Sequence, residues 1–357
     1  MLLLWNYFNI NLISIILFIQ IIKARKLESK QIIYLKVINN FNSVKVVNSD
    51  YVPSKVYVNG IETPIESNGN IKNQEKGILN VTLEWDKKFA KYTKLFRNVI
   101  YIIEADLSHF DTSEVTSIAY MFNNCTNLQK VNFNYINTSL IYDLSYMFEN
   151  CTKLTTLDLS CFDTKNVLKM EGMFKNCNSL KSLDLSNFYT PKLTKMNEMF
   201  YNCNSLTSLD ISNFDTSKIS NMTSIFEFCY ELSYINISHF VTKNVILMTN
   251  LFKNCLSLSF VDLSKFDTSN VIDMRDMFSS TNLTSLNLSN FNTSKVQYMD
   301  YMFYRSSLEF LDVSNFDTSE VISMTYMFSS TNLEYLDISN FDLNQKIMDF
   351  FFVFLLY

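Results

Sequence analysis

Apolar residues along this chain recur with a long period. Phe122, Phe148, Phe174, Phe200, Phe226, Phe252 and Phe278 stand 26 residues apart, and Phe303 and Phe328 follow at steps of 25. After each anchor comes an LxxLxL unit, such as Leu154-Leu157-Leu159, Leu206-Leu209-Ile211 or Leu308-Leu311-Val313. Ile102-Ala105-Leu107 supplies one more ahead of the first anchor and brings the units to ten. The last two apolar positions of each unit alternate with a polar one, which predicts a short strand with one face buried. Three residues on, a second aromatic column, Phe110, Phe162, Phe188, Phe214, Phe240, Phe266, Phe291, Phe316 and Phe341, with Ile136 in one coil, is predicted to point inward and stack. Asp-Thr-Ser or a close variant follows, as in Asp215-Thr216-Ser217, with side-chain oxygens suited to capping a helical turn. Val271, Met274, Met277 and Phe278 then fall at the spacing of one helical face. Each coil therefore reads as strand, turn and short helix.

No single coil can bury so many apolar residues, but stacked neighbours align every column into a continuous core. The predicted fold is a repeat solenoid of the leucine-rich-repeat type with a parallel sheet and a small β-rich N-terminal cap. The cap, 25–98, lacks the period and shows strand patterns at Ile32–Val37, Lys55–Val58 and Ile78–Trp85, with turns at Asn59-Gly60 and Asn68-Gly69. It is expected to cover the open edge of the first coil, and the array is expected over 99–343. Before it, the apolar run Ile10–Ile22 followed by Ala24 predicts a signal peptide over 1–24, although Lys23, Arg25 and Lys26 lie beyond the run instead of ahead of it. The apolar tail 344–357 is shorter than the roughly 20 residues that span a bilayer. It is predicted to cover the last coil.

Composition narrows the function. A hydrophobic content of 48% excludes disorder, and a net charge of −5 without a basic stripe argues against nucleic acid. The two histidines, His109 and His239, share one repeat position five coils apart and cannot cooperate. With 4 glycines in all, no phosphate-cradling loop can be built, and no serine has a histidine placed as its base. The expectation is a non-catalytic protein without cofactor, metal or small-molecule substrate. Abundant Asn reads as a bias of base composition and is given no functional weight.

Cys125, Cys151, Cys177, Cys203, Cys229 and Cys255 occupy one repeat position and form a column of structural thiols, not a metal site. Neighbouring rungs approach disulfide range, so an oxidising compartment could link some pairs. Cys161 stands apart, where it could pair between chains.

The consensus MF-x-N-C-x-S-L-x-x-L-D-L-S-N-F-D-T-S-x-V-x-x-M, almost intact from Met199 to Met222, resembles the BspA family of leucine-rich repeat surface proteins over about residues 99–343. That resemblance implies a secreted or cell-surface protein acting in adhesion. It transfers no ligand-binding residues.

The outward strand position holds Asp106, Asn132, Asp158, Asp184, Asp210, Asn236, Asp262, Asn287, Asp312 and Asp337. Two positions earlier, later coils carry Tyr234, Phe260, Phe310 and Tyr335, with Ser285 interrupting. Like charges facing each other across a sheet repel, so the column needs hydrogen bonds, cations or a basic partner. Aromatics beside carboxylates suit a recognition face for a protein or glycan ligand. The plainer reading makes the Asp column a solvent-facing one bonded to neighbouring Ser or Thr. A second functional reading is a structural coat protein that self-assembles through the array. Membrane association is left open.

Overall fold

The computed structural model describes residues 31–342. The predicted signal peptide and C-terminal tail lie outside the described residues. The cap is built from β1 (Gln31–Asn39), β2 (Ser43–Lys45), β3 (Lys55–Val58), β4 (Ile61–Glu62), β5 (Asn70–Lys72) and β6 (Gly77–Trp85). Alternation places Ile33, Leu35 and Val37 of β1 inside with Leu79, Val81, Leu83 and Trp85 of β6, and turns Tyr34 and Lys36 outward. Asn59 and Gly60 both have positive φ, which closes the β3–β4 hairpin with the twist that strands favour. Gly69 is required by contact as well as by φ, because a Cβ there would lie 2.1 Å from the Val47 carbonyl oxygen.

Cap and array share one sheet. Strands β7 (Ile102–Asp106) and β8 (Lys130–Asn132) complete the order β4-β3-β6-β1-β7-β8, in which β1 pairs antiparallel with both β6 and β7 while β7 and β8 run parallel. The edge of the first coil is thus covered by β1. Trp85 donates from Nε1 to the Tyr51 carbonyl at 2.8 Å and packs edge-on against Phe110, joining the cap interior to the second aromatic column.

Two expectations for the coil are corrected. Among the described residues there is no α-helix: the predicted helical segment is a run of tight turns. In the coil of Phe122, the amides of Met121, Asn123 and Cys125 close turns onto Ile118, Tyr120 and Phe122. The intervening amides of Tyr120, Phe122 and Asn124 donate instead to Ser145, Met147 and Glu149 of the next coil at 2.8–2.9 Å. A helix cannot form because Tyr120 and Asn124 sit in the left-handed region, at φ 59° and 60°. This leaves alternate amides facing the neighbouring coil. Lys94 and Asn98, Tyr146 and Asn150, and their equivalents to Tyr326 and Ser330 repeat the geometry. Asn tolerates this backbone better than most residues. The ladder starts at Lys91, within the residues assigned to the cap.

The second correction concerns the sheet. Beyond β8 the strand segments pair in parallel only as β9 (Ser208–Asp210) with β10 (Tyr234–Asn236) and β11 (Ser285–Leu286) with β12 (Phe310–Leu311), while single parallel bridges such as Ser117–Asp143 and Leu247–Asp273 link the turns of successive coils. The parallel solenoid sheet is therefore not continuous. Rings of the second column repeat almost by translation, with Phe162–Phe188 and Phe316–Phe341 centroids 6.5 Å apart and planes within 8° and 5°. Hydrogen-bonded strands need about 4.8 Å. Most coil-to-coil backbone bonds lie in the turns, with single bonds such as Lys181 N–H to the Thr155 carbonyl and Ser233 N–H to the Thr207 carbonyl beside the strand segments. The first column, which begins with Phe96 stacked on Phe122, has spacings of 5.4–6.0 Å.

Polar columns lock the coils together. The Thr of each Asp-Thr-Ser is buried and does not cap a helix. Thr164, for example, donates to the Tyr189 carbonyl at 3.0 Å and accepts the Tyr189 amide at 2.9 Å. Asn98, Asn124, Asn150, Asn176 and Asn202 form an amide ladder, each later Nδ2 donating to the preceding Oδ1 at 2.5–2.8 Å. A third column donates backwards: Asn290 and Asn315 each bridge two carbonyls of the preceding coil, and Asn187 and Asn340 each reach three. Part of the Asn content is therefore structural.

Candidate functional site

The strand segments turn one side chain of every pair into the core and its neighbour to solvent. Leu209, Ile235 and Leu311 are buried, whereas Tyr234, Phe260, Phe310 and Tyr335 are 58%, 69%, 62% and 72% exposed. Register sets Tyr234 beside Ser208 and Phe310 beside Ser285. The aromatics therefore form two patches, Tyr234 with Phe260 and Phe310 with Tyr335, rather than one stripe. Asp158, Asp184, Asp210, Asp312 and Asp337 are exposed and Asp262 is half-buried.

Each of these carboxylates is held in the same way. Asp158 Oδ1 accepts the Ser160 amide, Asp184 that of Ser186, Asp210 that of Ser212, Asp262 that of Ser264, Asp312 that of Ser314 and Asp337 that of Ser339, all at 2.9 Å. These Asx turns end the strand segment. The serine two residues on holds every one of the six carboxylates below its ordinary range. Repulsion within the column acts the other way and is outweighed, as Asp184 does on Asp158 and Asp312 on Asp337. The column thus has local hydrogen bonds to offset its like charge and stays ionised at neutral pH.

Among the described residues, this face is hollowed near both ends of the array. One hollow, of about 440 Å³, is lined by Phe310, Leu311, Asp312, Val313, Ser314, Tyr335 and Asp337. The other, of about 530 Å³, lies where the cap sheet meets the first coils and includes Tyr34, Lys36, Glu104, Asp106, Lys130, Asp158 and Cys161. Lys36 and Glu104 form an ion pair of 2.9 Å across β1 and β7. The sequence carries no sign of this second hollow, because β1 and β7 are far apart along the chain and their pairing is not written in the repeat.

The cysteine column lies in the core. Cys125, Cys151, Cys177, Cys203, Cys229 and Cys255 are free thiols, fully buried, each donating Sγ–H to a Phe carbonyl of the preceding coil at 3.1–3.2 Å. Burial pushes the Cys177 and Cys229 thiols up to about 12. Cys161 is exposed and free. Phe162, Phe188, Phe214 and Phe266 are buried in the second column. His109 packs edge-on against Tyr34, while His239 is far along the array with neither ring nitrogen hydrogen-bonded. Among the described residues no group of three or more His, Cys, Asp or Glu could hold a metal ion, and no helix is long and apolar enough to cross a membrane.

The model of a family described as "Mycoplasma protein of unknown function, DUF285" matches residues 87–209, 178–260 and 248–354. No curated protein matches the chain. Among solved structures, the T. pallidum leucine-rich repeat protein TpLRR is 19% identical with a TM-score of 0.34, covering 46% of this chain and 69% of that one. A TLR13–ssRNA13 complex gives 15% identity and a TM-score of 0.25, covering 60% of this chain and 34% of that one. The functional domain of InlJ from Listeria monocytogenes, which includes a cysteine ladder, gives 16% and 0.19, covering 60% and 54%.

Proposed function

We propose a function that starts from membership: the chain belongs to the DUF285 family of mycoplasma proteins of unknown function, and its strand face is an interaction surface. The protein binds a protein partner through exposed aromatics set among ionised carboxylates and performs no catalysis. One observation carries this reading. The coils bury both phenylalanine columns, yet Tyr234, Phe260, Phe310 and Tyr335 are each more than half exposed on one face. Exposed aromatics grouped on one face mark binding surfaces. Secretion or surface display, and the adhesive role suggested by the BspA-like consensus, belong to the same proposal.

The test is attachment of the purified chain to host-cell and extracellular-matrix preparations, compared with a Tyr234→Ser/Phe260→Ser/Phe310→Ser variant. The reading expects saturable attachment that the variant loses. Equal attachment by both proteins would remove the strand face as the binding surface.

A further inference from the structure

We propose that the hollow between Phe310 and Tyr335 is a site for a cationic side chain, an arginine or lysine in a basic segment of the partner protein. This deepens the strand-face reading and rests on it. Phe310 and Asp312 lie two residues apart on one coil and so share a face, and Tyr335 and Asp337 repeat the pair on the next. Together they line a hollow of about 440 Å³ with two exposed rings and two carboxylates. A guanidinium or ammonium over an aromatic face is attracted by the ring quadrupole, and a carboxylate beside it supplies the counter-charge. Arginine fits best, because its planar group stacks and pairs at once.

The surrounding charge favours the same ligand. Between Ser306 and Asp342 the sequence has seven Asp or Glu and no Lys or Arg. A basic segment approaching this end of the array therefore meets no competing cation from the chain itself in that stretch. Phe260 and Asp262 repeat the pair on one earlier coil, but the coils before it lack the ring: Thr156, Ser182 and Ser208 stand where Phe310 and Tyr335 do, ahead of Asp158, Asp184 and Asp210. Those coils provide an internal control with the carboxylate and without the ring.

The probe is a fluorescein-labelled peptide of alternating arginine and serine, with blocked ends, titrated into the purified chain at physiological salt. A second peptide has citrulline, the neutral isostere, in place of arginine. The site predicts saturable arginine-peptide binding, weaker by about tenfold or more for the citrulline peptide. Asp312→Asn/Asp337→Asn and Phe310→Ser/Tyr335→Ser should each weaken it by a similar factor, while Asp158→Asn/Asp184→Asn leaves it unchanged. The Asp→Asn changes preserve the turn, since Asn287 already accepts the Ser289 amide in the same way at 3.1 Å. Thermal melts of all variants report folding. Equal binding of the two peptides overturns the site, and so does equal weakening by Asp158→Asn/Asp184→Asn, which would make the attraction diffuse. The attachment assay separates this from the parent reading. Attachment lost in the Tyr234/Phe260/Phe310 serine variant without arginine preference keeps the face and removes the cation site. Attachment retained with arginine binding intact does the reverse.

Discussion

The Thr216 hydroxyl donates to the Val241 carbonyl at 3.1 Å and accepts the Val241 amide at 2.8 Å, so one buried side chain satisfies both backbone groups of a residue in the next coil. Thr216→Val keeps the shape and removes both bonds. Each buried group left unpaired costs about 1–3 kcal/mol. The variant is expected to lose about 2–3 kcal/mol in urea unfolding at unchanged m-value. A loss within error of zero would mean that the Thr column does not hold the coils together.

Phe214 is buried and stacked on Phe188 at 6.1 Å, whereas Phe260 is exposed. Phe214→Ala should destabilise by about 3–5 kcal/mol and Phe260→Ser by about 0.5 kcal/mol or less. Calorimetric melts of the two variants give the comparison. Similar costs would contradict the assignment of one ring to the core and the other to the surface.

His239 stands in the column where Asn187, Asn290, Asn315 and Asn340 bridge carbonyls of the preceding coil. Its ring has no hydrogen bond, and burial lowers its pKa although the Ile211 and Phe214 carbonyls favour the protonated form. His239→Asn restores the bridge and is expected to stabilise the chain by about 1 kcal/mol. A lower urea midpoint would show that the imidazole has a role the amide cannot take.

Of the seven thiols, Cys161 alone is exposed. Six are enclosed, and burial holds Cys177 and Cys229 up at about 12, so their thiolates are scarce at pH 8. Ellman's reagent is expected to titrate one thiol in the native reduced protein and seven in guanidinium. Several fast-reacting thiols in the native state would mean that the column opens readily.

The period, both phenylalanine columns and the outward aromatics were legible because they depend on what each residue buries, and burial repeats in the sequence as it does in space. Phe96 obeys the same spacing one step ahead of Phe122, but Leu95 replaces the Met of the consensus there and the step blends into the cap. The turns read as a helix in the sequence because tight turns closing every few residues leave apolar side chains at nearly helical spacing. The signal that separates the two is Asn at 124, 150, 176, 202 and 254, a residue suited to left-handed backbone. The hollow around Tyr34 and Lys130 was out of reach, because it depends on β1 pairing with β7 and no local pattern encodes that pairing.

The most direct measurement sets two surfaces with exposed apolar side chains against each other. Attachment is measured for the purified chain, for the Tyr234→Ser/Phe260→Ser/Phe310→Ser variant, and for Ile246→Ser/Ile322→Ser, which removes exposed apolar side chains from the turn ladder. The strand-face account predicts that the first variant loses attachment and the second keeps it. Attachment that survives the strand-face changes and disappears with Ile246 and Ile322 would place the binding surface on the turns and contradict the account.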